Sequence, residues 1–186
     1  MIVLTRETRE TRIRLSLAGP GVPHGAEAGV DGIRTGVRFL DHMLETLSRT
    51  SGFPLGVDAT GDLRHHLIED VAITLGEALS RVDHTRIARY AERTMAMDDA
   101  LVQVVIDVGG RPYWCGRLPS ALYTHWMRSF ADHARLTLHV RVLRGRDRHH
   151  VVEAAFKALG FALREALAPA DSEASTKGTV RLEASC

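Results

Sequence analysis

Apolar and polar residues alternate along the start of the chain. Ile13, Leu15 and Leu17 fall on one side, with Arg12, Arg14 and Ser16 on the other. A period of two is that of a strand with one buried face, so residues 2–17 read as one extended strand. Its charged front half, Arg6-Glu7-Thr8-Arg9-Glu10-Thr11, reaches toward a site at the strand's end. Gly19-Pro20-Gly21, Pro23 and further glycines make residues 18–32 a loop. The period then lengthens: Val37, Leu40, Leu44 and Leu47 line one face of a helix over about 37–49. A short strand over 55–60 and a helix over about 67–82 follow. Near Thr94 a second half begins. Its apolar strand, Leu101 to Val108, matches the first strand, and Gly109-Gly110-Arg111-Pro112 is a turn. Then come a strand over Tyr113–Arg117, a helix over 121–134, an alternating strand over Leu136–Leu143 and a helix over about 150–167. No linker is long enough to separate the halves, so they share one core.

The two late helices open on the same words. Gly61-Asp62-Leu63-Arg64-His65-His66-Leu67-Ile68-Glu69 returns as Gly145-Arg146-Asp147-Arg148-His149-His150-Val151-Val152-Glu153. Aligned without a gap at an offset of 84, the stretches agree at 9 of 23 positions, which makes the chain an internal duplication. Residues i and i+4 share a helix face, so His65 converges with Glu69 and His149 with Glu153. His66 and His150 point about 100° away. Each motif therefore supplies two ligands to one metal ion and one to another. Imidazole with carboxylate suits Mn, Fe, Co, Ni or Zn better than Ca or Mg. One His-x-x-x-Glu would be a solvated face; ordinary packing gives no reason to repeat it in register.

Composition narrows the class. With 45% hydrophobic residues but 5% aromatic, the core is aliphatic. A net charge of +1 offers no field for bulk nucleic-acid binding. Two cysteines, Cys115 and Cys186, make no disulfide framework and fit a reducing cytoplasm. Met1-Ile2-Val3-Leu4 is too short for a signal peptide, and no run approaches the length of a membrane span. Basic residues are nearly all Arg; Lys occurs only at Lys157 and Lys177.

Several short motifs occur in a fixed order. Arg6-x-Thr8-x-Glu10-Thr11 precedes Thr35-Gly36-x-x-Phe39-Leu40-Asp41-His42-Met43-Leu44 and Gly61-Asp62-Leu63. After the first His-His-x-x-Glu-Asp come Met97-Asp98-x-Ala100-Leu101, Gly110-Arg111-Pro112 and Leu138-His139-Val140. The second His-His-x-x-Glu, with Phe156-Lys157-Ala158, and Ser175-Thr176-Lys177-Gly178 close the set. As an ordered set over nearly the whole chain, they resemble the imidazoleglycerol-phosphate dehydratase family of histidine biosynthesis.

That resemblance implies an α+β fold of two pseudo-repeated βα halves, residues 1–91 and 92–186, each a small, mostly antiparallel sheet backed by helices. It implies dehydration of imidazole glycerol phosphate to imidazole acetol phosphate through a metal-bound imidazolate at a di-manganese site, with two Mn(II) per active site. It implies a cytoplasmic homo-oligomer, a 24-mer with sites shared between subunits, and neither nucleic acid nor membrane as partner. The metal ligands it implies are His42, His65, His66, Glu69, His139, His149, His150 and Glu153, with their division between the ions left open. Glu10 is the implied acid–base residue; Arg89, Arg111, Ser175 and Lys177 are the implied phosphate binders. His133 echoes the Asp-His of the first helix but matches no implied ligand, and reads as a surface or structural residue. Many relatives have a longer link, ending in acidic residues, before the first His-His; here only Arg64 intervenes. Two rivals use the same ligands. A di-metal hydrolase would want a bridging Asp, and a metal-storage protein would not need Glu10, Arg111 or Lys177.

Overall fold

The computed structural model describes residues 1–19 and 29–171. The first half comprises β1 (Ile2–Glu7), β2 (Thr11–Leu17), β3 (Ile33–Arg34), α1 (Arg38–Ser51), β4 (Leu55–Gly61) and α2 (Arg64–Leu79). The second comprises β5 (Tyr90–Met97), β6 (Ala100–Asp107), β7 (Tyr113–Gly116), α3 (Ala121–His133), β8 (Thr137–Arg144) and α4 (Arg148–Ala166). The two sheets have one topology, β1-β2-β4-β3 and β5-β6-β8-β7. In each, the first three strands are antiparallel and the fourth joins in parallel. The fold is α+β, built from two similar halves.

The strand expected over residues 2–17 is instead a hairpin of β1 and β2. The Thr8 hydroxyl accepts the N–H groups of Glu10 and Thr11 at 3.1 and 2.9 Å, and the Thr8 N–H donates to the Thr11 carbonyl. Thr8-Arg9-Glu10 has no apolar side chain to bury, so a hydroxyl-closed turn wins over continued extension. The sequence also hid β3, two residues long, and the whole of β5 (Tyr90–Met97). Both repeated helices start earlier than their apolar stripes: α2 at Arg64 and α4 at Arg148. Each His-His pair therefore occupies a first helical turn.

Each sheet turns one face to the helices. Ile13, Leu15 and Val57 on the first sheet, and Val102, Val104 and Leu138 on the second, are fully buried. The helices of the two halves close on each other, α1 against α4 and α2 against α3. The repeated Leu-Gly explains how closely. A Cβ on Gly160 would lie 1.9 Å from Thr50 Oγ1 of α1, and one on Gly76 would lie 2.8 Å from the Phe130 carbonyl oxygen of α3. Interaxial distance depends on the side chains at the crossing, and glycine lets each helix of one half meet one from the other. These two crossings carry the site.

Candidate metal centre

Each crossing brings a helical histidine over a repeated motif. From α1, His42 Nε2 approaches Glu153 Oε2 of α4 at 3.5 Å, and His149 Nε2 meets the same oxygen at 3.0 Å. From α3, His125 Nε2 lies 3.0 Å from Glu69 Oε1 of α2, while His65 Nε2 lies 3.5 Å from Glu69 Oε2. In each set one donor atom per residue lies within 4.8 Å of the other two. The rings pair alike: His42 with His149 at 5.9 Å between centroids, and His65 with His125 at 5.3 Å, both stacked. Two His-His-Glu sets thus form, one at each crossing.

The local frame holds these helices in place. Asp41, one residue before His42, accepts the backbone N–H of Thr35 at 2.9 Å and also its hydroxyl, fixing the start of α1. Asp70, buried beside Glu69, takes Arg6 at 2.9 Å and the Thr11 hydroxyl, which ties α2 to the first hairpin. This accounts for two letters of the Arg-x-Thr-x-Glu-Thr motif. Asp147 caps α4, accepting from the backbone N–H groups of His149 and His150. Leu63, at the corresponding place on α2, has no capping side chain.

Electrostatics separate the two sets. Glu153 is buried, and burial works to raise its carboxyl; Lys157, bonded at 2.8 Å, and His42 outweigh it and leave the group below the usual carboxylate range. Glu69 is more open, and its ion-pair partners among the described residues are the imidazoles of His65 and His125. His66 and His150 belong to neither set. Asp62 Oδ1 bonds His66 Nδ1 at 2.9 Å, and that bond chiefly raises the imidazole and lowers the carboxyl. Asp99 Oδ1 bonds His150 Nδ1 at 2.8 Å, while Asp98 faces its Nε2 at 3.3 Å.

The donor chemistry fits a transition-metal ion. Among the described residues, the buried Nε2 of His125 makes no hydrogen bond of regular geometry, although Glu69 Oε1 lies 3.0 Å from it. Such an orphaned nitrogen is costly unless something takes its lone pair, and convergent imidazoles with a carboxylate are a ligand set for Mn, Fe, Co, Ni or Zn.

The expected residues divide as follows. His42, His65, Glu69, His149 and Glu153 converge as the two sets. His139 joins neither. It sits on β8 between the buried Leu138 and Val140, so it faces away from the helices, its ring 5.5 Å from Tyr113. His125 stands where a third ligand was expected. The repeat itself held the signal, since an offset of 84 carries His42 to within one residue of it. His133, the apparent echo, lies two turns further along α3 and pairs with Glu77 at 3.2 Å. Glu10, in the β1–β2 turn, is exposed, with Oε2 3.5 Å from His66 Nδ1. Arg89 is held by Asp107 at 2.7 and 3.2 Å, and Arg111 is exposed in the turn after β6. Ser175 and Lys177 lie outside the described residues.

Two similar βα halves, each contributing to a His-His-Glu set that could hold a metal ion, define the class of α+β protein. A family model described as imidazoleglycerol-phosphate dehydratase matches residues 35–163. A protein of that name from Pyrobaculum calidifontis is 45% identical over 95% of this chain and 98% of its own length. Another from Kineococcus radiotolerans is 42% identical over 95% and 97%. The crystal structure from Pyrococcus furiosus superposes with a TM-score of 0.81 at 38% identity, covering 95% of this chain and all of that one. The Staphylococcus aureus structure gives 0.75 at 31% identity. The chain belongs to the imidazoleglycerol-phosphate dehydratase family, and is thereby a hydro-lyase of histidine biosynthesis.

Proposed function

We propose that this chain removes water from D-erythro-imidazole glycerol phosphate to give imidazole acetol phosphate, using two Mn(II) ions per active site, in the cytoplasm. The observation that carries the metal reading is the pair of matched donor sets, one containing the orphaned His125 nitrogen. His65, Glu69 and His125 would hold one ion, and His42, His149 and Glu153 the other. His125 takes the place first given to His139. When bound there, Mn(II) would supply Lewis acidity that makes an imidazole N–H more acidic. Sites rich in imidazole and without a bridging Asp favour an imidazole substrate over a hydrolase's water.

The chain's own residues do the rest. Glu10 is an exposed carboxylate at the tip of a turn, suited to move the proton of the adjacent carbon. Arg89, Arg111, Ser175 and Lys177 are the phosphate binders in this reading, and their cationic groups suit its charge. Position then argues for shared sites. Asp99 and His150 stand before the first residue of β6, whereas Asp107 and Arg89 stand at its last. Eight residues of strand span roughly 23 Å, more than imidazole glycerol phosphate can bridge. A substrate on His150 would thus meet the phosphate cations of another copy. In this reading His66 and His150, which belong to neither set of their own chain, complete the sets of neighbours. This supports a homo-oligomer with shared sites, the 24-mer of the resemblance.

The test is turnover of imidazole glycerol phosphate by metal-stripped protein, before and after adding Mn(II). Restored activity is expected. Absence of turnover with two Mn(II) bound per chain would move the substrate elsewhere while leaving the metal sets standing. Light scattering that found an active, metal-replete monomer would rule out shared sites.

A further inference from the structure

We infer that Asp62 is a positioning residue for metal binding: it holds Nδ1 of His66 and so presents Nε2 as the one free donor atom of that ring. The inference rests on the reading of His66 as a ligand. A ligating imidazole commonly gives its second nitrogen to a carboxylate, which fixes tautomer and ring direction. Here the carboxylate comes from the same chain, four residues before the imidazole it holds. Asp62 Oδ1 takes His66 Nδ1 at 2.9 Å and the Leu63 backbone N–H at 2.6 Å. That pair of bonds places Asp62 against the first turn of α2, where Leu63 itself offers no cap. Among the described residues, no hydrogen bond or ion pair reaches His66 Nε2.

Glu10 makes the assignment sharper. Its Oε2 is 3.5 Å from the same Nδ1, beyond the 2.9 Å of Asp62. Asp62 therefore satisfies the imidazole and leaves the Glu10 carboxylate uncommitted. Without Asp62, Glu10 is the next acceptor for that N–H and would be drawn from proton transfer. Asp99 does the corresponding work at His150, but it also accepts the backbone N–H groups of Arg146 and Asp147, and Asp98 faces the other ring nitrogen. Its removal would disturb a loop as well as a ring. Asp62 is the cleaner residue to change.

The experiment titrates Mn(II) alone into metal-stripped wild type, Asp62→Ala and Asp62→Asn by calorimetry, with circular dichroism as the folding control. An Asn carbonyl still accepts from Nδ1, so Asp62→Asn keeps position and loses charge. About 10- to 100-fold weaker binding in Asp62→Ala, confined to half of the Mn(II) bound, with affinity largely regained in Asp62→Asn, is the expected result. In turnover, Asp62→Ala would also lower kcat at saturating Mn(II), while Asp62→Asn recovers it. Wild-type affinity in Asp62→Ala overturns the inference. So does equal loss in both variants, which would make the effect one of charge. If wild type itself binds no Mn(II), the metal reading falls and this inference with it.

Discussion

The two halves carry the same His-His-x-x-Glu at the head of the same helix, yet they prepare it differently. In the second half Asp147 caps α4, Glu153 is buried, and Lys157 lies 2.8 Å from its carboxylate. In the first, Leu63 cannot cap α2, Glu69 is a third exposed, and Ile73 stands where the repeat would place a lysine. Duplication preserved the donors and the glycine crossings; the groups that hold them have diverged. Two sites of one composition are thus expected to differ in how far they are formed before metal arrives.

The largest expected effect decides what completes the first set. His125→Ala removes the third donor from His65 and Glu69 and should cost half of the bound Mn(II) and at least about a hundredfold in turnover. His139→Ala should leave Mn(II) stoichiometry unchanged, because that side chain lies on the far face of β8. Metal analysis of both variants after dialysis checks this directly. The reverse pattern would restore the ligand set implied by resemblance and dissolve the pseudo-symmetry.

Next come the crossings. A Cβ at Gly76 meets the Phe130 carbonyl oxygen at 2.8 Å and the Ala134 nitrogen at 2.9 Å; at Gly160 it meets Thr50 Oγ1 at 1.9 Å, Thr50 Cβ at 2.9 Å and the Leu47 carbonyl oxygen at 3.1 Å. Overpacking of this kind costs typically 1–3 kcal/mol. Gly76→Ala should fall at the upper end, since backbone cannot rotate aside, and should weaken the first metal set through His125. Gly160→Ala, with Thr50 Cβ and the Leu47 carbonyl equally unable to rotate aside, should cost a similar amount and act on the second set through His42. Urea denaturation with parallel Mn(II) titration would separate the two.

A smaller effect tests the buried carboxylate. Lys157→Met leaves Glu153 with only imidazoles for company. Losing one partner of a buried pair is expensive, and partial exposure of Lys157 reduces the loss to about 2 kcal/mol in metal-free protein. Bound Mn(II) replaces the missing cation, so the deficit should shrink on loading. Ile73→Met in the first half should change neither. A deficit in Lys157→Met that persists undiminished with Mn(II) would mean that Lys157 stabilises the fold by packing and not through Glu153.

What the sequence disclosed follows from range. The i,i+4 spacing brought His65 to Glu69 and His149 to Glu153 because a helix enforces it locally, and period-two and helical stripes located the longer elements. The hairpin at Thr8 was missed because one hydroxyl closes it, which no hydrophobic pattern reports. His125 was missed because a side chain brought in by a helix crossing has no local spacing. Only the offset of the duplication pointed there, and the nearby Asp132-His133 offered a closer match of letters at the wrong turn of the helix. Asp62 and Asp99 were invisible for the same reason: each acts through geometry set by its loop.

Those loops provide the smallest test, and it is one of pH. Asp99 accepts two backbone N–H groups, from Arg146 and Asp147, and bonds His150; together these hold its carboxyl down at about 2, below its ordinary 3.8. A carboxylate depressed in the folded state contributes stability above its unfolded value and loses it as pH falls through the folded one. Between about 4 and 2 the unfolded chain binds the extra proton, so acid drains this contribution over that window. Asp62 is lowered too, chiefly by His66, but accepts a single neighbouring backbone N–H, that of Leu63. Asp99→Asn should therefore flatten the acid limb of stability in metal-free protein more than Asp62→Asn does. Circular dichroism from pH 5 to pH 2, with denaturant at each step, reads both slopes. Equal slopes would show that the two loops anchor their helices alike, and that the halves differ at Glu153 and Lys157 rather than at their loops.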